Sequence, residues 1–131
     1  MTRSVLIVDD SFLMRTVIRN IVSSDPNITI LGEAVDGAEA LDKVVELEPD
    51  VVLLDIEMPH MDGIEYLKRA RLVSNAKVVV ISSVTQLGSP LALQAYRLGA
   101  NTVIPKPSGV LSMDLEQKRG ADILQAIRDC A

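Results

Sequence analysis

Apolar residues along the chain fall into short unbroken runs, with stretches of helical spacing between them. Ser4-Val5-Leu6-Ile7-Val8, Val51-Val52-Leu53-Leu54 and Lys77-Val78-Val79-Val80-Ile81 are nearly continuous apolar segments rich in β-branched residues. Such runs mark strands buried on both faces of a parallel sheet. Ile28 to Ala34 mixes apolar with polar positions, as an edge strand does, and Asn101 to Ile104 reads as a short fifth strand. Ser11 to Val22 sets Leu13, Val17 and Ile21 along one line with Met14, Ile18 and Val22 beside them, the stripe of an amphipathic helix with Arg15 and Arg19 on its outer face.

Start and stop signals place the remaining helices. Asp36-Gly37-Ala38-Glu39 is a capping box opening a helix that turns Leu41, Val44, Val45 and Leu47 inward and ends at Glu48-Pro49. Asp62-Gly63-Ile64-Glu65 repeats the device, with Ile64, Leu67 and Leu72 as core contacts, so Asp36 and Asp62 are read as caps. Ser89-Pro90 begins a helix that stops near Gly99, and Asp114 to Cys130, with Leu115, Ile123, Leu124 and Ile127, forms a last one weakened at Gly120. Five strands alternating with five helices through short connections predict an α/β fold, a doubly wound three-layer sandwich around a parallel sheet.

Composition narrows the function classes. A chain of 131 residues with 48% hydrophobic content is expected to form one domain. A formal charge of -5 with no basic run beyond Lys68-Arg69-Ala70-Arg71 or Lys118-Arg119 argues against direct nucleic-acid binding. No apolar run approaches the ~18 residues of a membrane span, and a strand pattern starting at Ser4 leaves no room for a signal peptide. A cytoplasmic location away from the membrane is therefore expected. The single cysteine, Cys130, excludes a disulfide framework and is read as an idle thiol.

The chemistry lies where the strands end. Strand one delivers Asp9 and Asp10, strand three Asp55, strand four Ser82, and strand five stops just before Lys106. In open α/β sheets the carboxyl ends of the strands share one edge, and ligands bind there. Three carboxylates in close quarters repel one another and need a cation or protons. Oxygen-only ligation suits Mg2+, commonly held by one or two carboxylates plus a phosphate. With an ammonium and a hydroxyl to neutralise a transferring phosphoryl group, the site looks built to receive phosphate on Asp55.

The Asp9-Asp10 pair, Asp55 with Met58-Pro59 and Asp62-Gly63 behind it, Ser82, and Lys106-Pro107 resemble the receiver domain of two-component response regulators, and the likeness runs through the chain in order and spacing. The resemblance implies a flavodoxin-like sheet of order 2-1-3-4-5, with Asp55 as phosphoacceptor served by a histidine kinase. It further implies Mg2+ bound directly by Asp10 and Asp55 with the main-chain carbonyl of Glu57, Asp9 acting mostly through water, Lys106 paired with Asp55 or its phosphate, and Ser82 moving to the phosphoryl group. A cis Lys106–Pro107 peptide is expected on the same ground. The stretch from Asp55 through Met58-Pro59-His60-Met61 to Leu67, the doubled Ser82-Ser83, and Lys106-Pro107-Ser108 with a loose approach over Ser108 to Ser112 look like the receiver of the chemotaxis protein-glutamate methylesterase. In that family a serine esterase domain follows, but no G-x-S-x-G occurs here. Residues 1–131 are thus expected to be a receiver domain, either the regulatory fragment of a longer chain or a stand-alone relative. Val103 stands where many receivers carry an aromatic residue, which calls the usual aromatic readout into question.

Simpler readings compete with these. Alone, Lys106 would be a solvated lysine and Ser82 a strand-end hydroxyl; convergence with three acids overturns that. Met58 and Met61 read as packing or loop residues, His60 as an exposed imidazole, and Phe12 equally as a partner contact or a helix-start core residue. Two other function classes are an aspartate-nucleophile phosphatase or phosphotransferase and a flavin carrier. The first is weakened by Glu57 at the second acid position with no specificity insertion, the second by acids where a phosphate loop belongs and by three aromatic residues in all.

Overall fold

A computed structural model of the chain describes residues 2–83, 89–106 and 112–130, with 112–118 described by backbone alone. Ten elements alternate: β1 (Arg3–Val8), α1 (Phe12–Ser23), β2 (Ile28–Ala34), α2 (Gly37–Leu47), β3 (Val51–Leu54), α3 (Gly63–Ala70), β4 (Lys77–Ser82), α4 (Pro90–Arg97), β5 (Thr102–Pro105) and α5 (Ser112–Asp129). The strands form one parallel sheet in the order β2-β1-β3-β4-β5. The doubly wound sandwich expected from the pattern is the fold observed.

Alternation along the strands divides the core in two. Val5, Ile7, Val51, Leu53, Val79, Ile81 and Ile104 face α1 and α5, where they meet Val17, Ile18, Ile21, Val22, Ile123 and Ile127. Leu6, Val8, Val52, Leu54, Val78, Val80 and Val103 face α2, α3 and α4. Consecutive residues of one strand are thus buried on opposite faces, the physical reason that the central strands are apolar without interruption. Pairing between β1 and β2 slips by one residue, from Val5 opposite Ile30 to Leu6 opposite Gly32. A one-residue slip exchanges the faces of a strand. Ile28 and Ile30 therefore pack on the α1 side, whereas Ala34 packs on the α2 side and Glu33 is turned toward α1.

The caps at Asp36, Asp62 and Ser89 form as the sequence predicts, and Ser11 adds one for α1. Ser11, Asp36, Asp62 and Ser89 each accept a hydrogen bond from the backbone N–H three residues on, and Pro90 occupies the first turn of α4. Glu39 reaches back one residue beyond the cap, accepting from the N–H of Val35 at 2.8 Å. Glu48 ends α2 in a left-handed conformation, and Gly99, at φ 107°, follows α4. In the turn after α1, the Asn27 N–H donates to Asp25 at 2.8 Å.

Several core assignments fail at helix ends and flanks. Leu72 is 81% exposed because α3 ends at Ala70 and Leu72 lies beyond its cap. Leu13 and Val45 are exposed at the flanks of stripes centred on Val17 with Ile18 and on Ala40 with Val44. Phe12 is exposed as well. Tyr66, not singled out from the sequence, is among the largest fully buried side chains. Helix α5 starts at Ser112, two residues before the expected start, and runs unbroken through Gly120. The expected cis Lys106–Pro107 peptide, residues 108–111 of the expected loose approach and the Leu115 side chain lie outside the described residues, and Ser112 already belongs to α5.

Strand β5 forms an edge of the sheet. Its Lys106 end donates N–H to the Ser82 carbonyl at 3.0 Å, while the Val103 N–H, in the alternate set, donates to the Tyr96 hydroxyl of α4 at 3.1 Å.

Two glycines carry opposite expectations. A Cβ on Gly63 would stand 2.4 Å from the Asp55 carbonyl oxygen and 2.9 Å from the Ile56 Cα, both backbone atoms that cannot give way. One on Gly120 would meet only Ile21, at 3.9 Å. Gly63→Ala is expected to destabilise the fold by ~1–3 kcal/mol through overpacking, and Gly120→Ala to stabilise it by roughly 0.5–1 kcal/mol through helix propensity. Urea unfolding of both variants checks the pair; equal effects of either sign contradict this packing.

Candidate functional site

The carboxyl ends of β1, β3, β4 and β5 assemble the site, and backbone bonds fix each end against its neighbour. The Asp9 N–H donates to the Ala34 carbonyl at 3.1 Å, the Asp55 N–H to Val8 at 3.0 Å, and the Lys106 N–H to Ser82 at 3.0 Å. Asp9, Asp55 and Ser82 are buried, at 1%, 6% and 0% exposure, whereas Asp10 is exposed at the rim. One carboxylate oxygen from each of Asp9, Asp10 and Asp55 lies within 4.8 Å of the others. All five side chains predicted for the site are brought together.

The charges are unevenly shared. Lys106 Nζ donates to Asp9 Oδ2 at 2.9 Å and stands 3.9 Å from Asp55 Oδ2. The pairing expected with Asp55 is thus the longer of two contacts, and Asp9 holds the ammonium more tightly. Asp9 Oδ1 accepts from the Ser11 N–H at 2.9 Å, so both of its oxygens are engaged by the protein. Asp55 Oδ1 accepts from the Ile56 N–H at 2.8 Å, and the Ser82 hydroxyl bonds the same carboxylate. Burial pushes the Asp55 carboxyl up to about 6; Lys106 opposes that rise, the negative charge of Asp9 adds to it, and Ser82 and the Ile56 N–H oppose it.

The donor set fits a divalent cation on chemical grounds. Three carboxylates face a single ammonium, leaving negative charge unbalanced once Asp55 ionises, and every side-chain donor is a hard oxygen. Asp10 and Glu57 share the wall of an open pocket of about 480 Å³ with Ile56, Met58 and Leu91. A larger cavity, about 650 Å³, opens at the amino-terminal edge of the strands among Arg3, Lys77 and Cys130, away from the carboxylates. The acid cluster and not cavity size identifies the site.

Other assignments resolve around it. His60, at φ 66°, is exposed and places Nδ1 3.1 Å from Asp36 Oδ2, outside the acid cluster. The Glu39 N–H, then the His60 contact, holds the Asp36 carboxyl below the usual carboxylate range. Met58 packs against the core and Met61 offers its carbonyl to the Gly37 N–H at 2.8 Å, both as packing and loop residues. Cys130 is buried, which pushes its thiol up. Sequence reasoning placed Arg15 on the outer face of α1. Its side chain is instead only 12% exposed and donates to the Asp9 carbonyl at 2.7 Å. The signal was latent in Glu33, whose partner the β2 slip supplies.

Comparison with known proteins converges on one family. The family described as the response regulator receiver domain matches residues 5–118. The chain is 42% identical over 124 residues to a protein-glutamate methylesterase/protein-glutamine glutaminase of Thermotoga maritima, covering 95% of this chain and 36% of that protein. A protein of the same description from Halalkalibacterium halodurans is 49% identical over 115 residues, covering 88% of this chain and 33% of that one. The chain thus spans about a third of the length of these relatives. The crystal structure of the response regulator domain of Thermotoga maritima CheB superposes with a TM-score of 0.94 at 39% identity, covering 99% of this chain and 96% of that one. A chain of the complex between the P1 domain of CheA3 and CheY6 from R. sphaeroides matches with a TM-score of 0.77 at 40% identity, covering 98% and 95%. No helix among the described residues is long and apolar enough to cross a membrane.

The raised Asp55 carboxyl has a consequence for stability. A folded state that binds this proton more tightly than the unfolded chain is favoured at low pH and loses that advantage as pH rises from 3.8 through about 6. Asp55→Asn cannot ionise, so without divalent cations it is expected to be more stable than the native chain by up to roughly 3 kcal/mol at pH 7.5. The difference should fade below about pH 4, where Asp55 is neutral in both states. Urea unfolding across pH measures it; a difference independent of pH contradicts the assignment.

Proposed function

The chain belongs to the response regulator receiver domain family, and from that membership we propose that Asp55 is its phosphoacceptor, charged by the phosphohistidine of a two-component kinase. The observation that carries this reading is that the buried Asp55 carboxylate lies 3.9 Å from Lys106, is hydrogen-bonded by Ser82 and the Ile56 N–H, and has an oxygen within 4.8 Å of oxygens of Asp9 and Asp10. An Asp55 oxygen forms the bond to phosphorus as the bond from phosphorus to the donor imidazole breaks. Lys106, with Nζ already 3.9 Å from the acceptor, neutralises charge on the transferring group, and the Ser82 hydroxyl is placed to donate to it. Mg2+, when bound, supplies further positive charge for the same purpose. Asp10 and Asp55 would hold it directly with the Glu57 main-chain carbonyl, and Asp9, both of whose oxygens are engaged, would contribute through water.

The relatives are described as protein-glutamate methylesterases, and two structural neighbours as CheB and as CheY6 with the P1 domain of CheA3, which supports a chemotaxis two-component system as the setting. The relatives are about three times as long and are described as methylesterases. We read residues 1–131 as the regulatory domain of such a protein, which masks or unmasks an output domain following it. Val103 is buried and its N–H is tied to Tyr96, so the rearrangement of the face made by α4 and β5 is expected to be modest and to travel through Ser82. A turnover phosphatase is disfavoured by the family match, which runs over residues 5–118.

Incubation with acetyl phosphate and Mg2+, followed by intact-mass measurement, tests the chemistry. One labile phosphate is expected on the native chain and none on Asp55→Asn. Lys106→Arg should still label but give a smaller change in the amide spectrum around Ser82, because a planar fork cannot replace a compact ammonium. Native-rate labelling of Asp55→Asn would falsify the assignment.

A further inference from the structure

Arg15 stands outside the acid cluster yet holds the backbone from which two of its members hang. Its Nη1 donates to the Asp9 carbonyl at 2.7 Å, and its Nε donates to Glu33 Oε1 at 3.0 Å. Arg19 pairs with the other oxygen of Glu33, and the Arg15 guanidinium lies 5.8 Å from the centre of the Phe12 ring. Because the Asp9 N–H is spent on Ala34, both polar groups of the Asp9 backbone are engaged, and Arg15 sets the plane of the Asp9–Asp10 peptide. Asp10 is exposed at the rim, so its carboxylate reaches the cluster only as well as its main chain is aimed. The acceptor end of this strut exists because of the β1–β2 slip, without which Glu33 would face α2.

We propose that Arg15, braced by Glu33, is a positioning residue for divalent-cation binding, fixing the Asp9–Asp10 main chain so that Asp10 and Asp55 present their oxygens together. The proposal rests on the reading of Asp10 and Asp55 as metal ligands. Charge alone predicts the opposite effect: a guanidinium beside three carboxylates opposes a second cation, so its removal should tighten binding. A strut that only fastened α1 to the sheet would change unfolding free energy and leave affinity unmoved.

Titration calorimetry with MgCl2 on the chain and on Arg15→Lys, Arg15→Ala and Glu33→Ala separates these accounts, with urea unfolding to establish that each variant is folded. Positioning requires the fork that spans Asp9 and Glu33, so Arg15→Lys, which keeps the charge, is expected to bind Mg2+ about tenfold more weakly, as losses of ligand-orienting contacts do. Arg15→Ala should lose at least as much and Glu33→Ala should move in the same direction. Native affinity in Arg15→Lys, or tighter binding in Arg15→Ala, overturns the proposal. If Arg15→Ala does not fold, Arg15→Lys and Glu33→Ala decide it. Failure of the native chain itself to bind Mg2+ overturns the metal-site reading and the proposal with it, whereas native binding with unaltered variants overturns the role of Arg15 alone.

Discussion

Three carboxylates gathered at one strand edge, two of them beside a single ammonium, are the constraint to which the rest of the molecule answers. Lys106 reaches from the end of β5 across to Asp9 at 2.9 Å and Asp55 at 3.9 Å, and all three side chains are largely withdrawn from water. Like charges at such range would drift apart on flexible loops, and burial makes the ionisation of Asp55 dearer. They stay because each is mounted within a residue or two of a strand whose apolar faces are packed on both sides. Hydrophobic burial supplies the rigidity, and the surplus negative charge it confines is what favours a cation there.

The same crowding explains why small residues and backbone irregularities lie where they do. Helix α3 begins with its Gly63 N–H on the Ile56 carbonyl at 2.8 Å, so near the Asp55–Ile56 backbone that no side chain fits between them. Gly37 sits comparably close to Met61, where a Cβ would stand 2.7 Å from the Met61 carbonyl, binding the start of α2 to the loop before α3. The slip in β2 turns Glu33 from one face of the sheet to the other and lets an arginine of α1 brace the acid pair. These features lie outside the reacting centre and determine its shape.

How much of this the sequence disclosed follows from the range of the interactions. The continuous runs of β1, β3 and β4 and the capping signals at Asp36, Asp62 and Ser89 are local, and they disclosed the strands, the starts of α2, α3 and α4 and the strand edge at which Asp9, Asp10, Asp55, Ser82 and Lys106 meet. Spacing could not say whether Lys106 prefers Asp9 or Asp55, because that depends on ångström differences between strand ends. The buried role of Arg15 was hidden for a related reason: a charged residue beside an apolar stripe looks solvent-facing until a partner from another element is known. Leu72 misled because its periodicity continued beyond the point where α3 stops. Tyr66 was passed over because a hydroxyl-bearing ring gives a mixed signal, although its ring fills the core.

Strand β5 lies at the border of the sheet, where exposed backbone donors ordinarily invite another chain to add as a further strand. Of its two residues in the outward-facing set, Val103 has its N–H occupied by the Tyr96 hydroxyl, and Pro105 has none to offer. That border is therefore sealed against polymerisation through its amides. A domain that must meet partners transiently can present side chains beside β5 while withholding the one kind of contact that would make an encounter self-propagating.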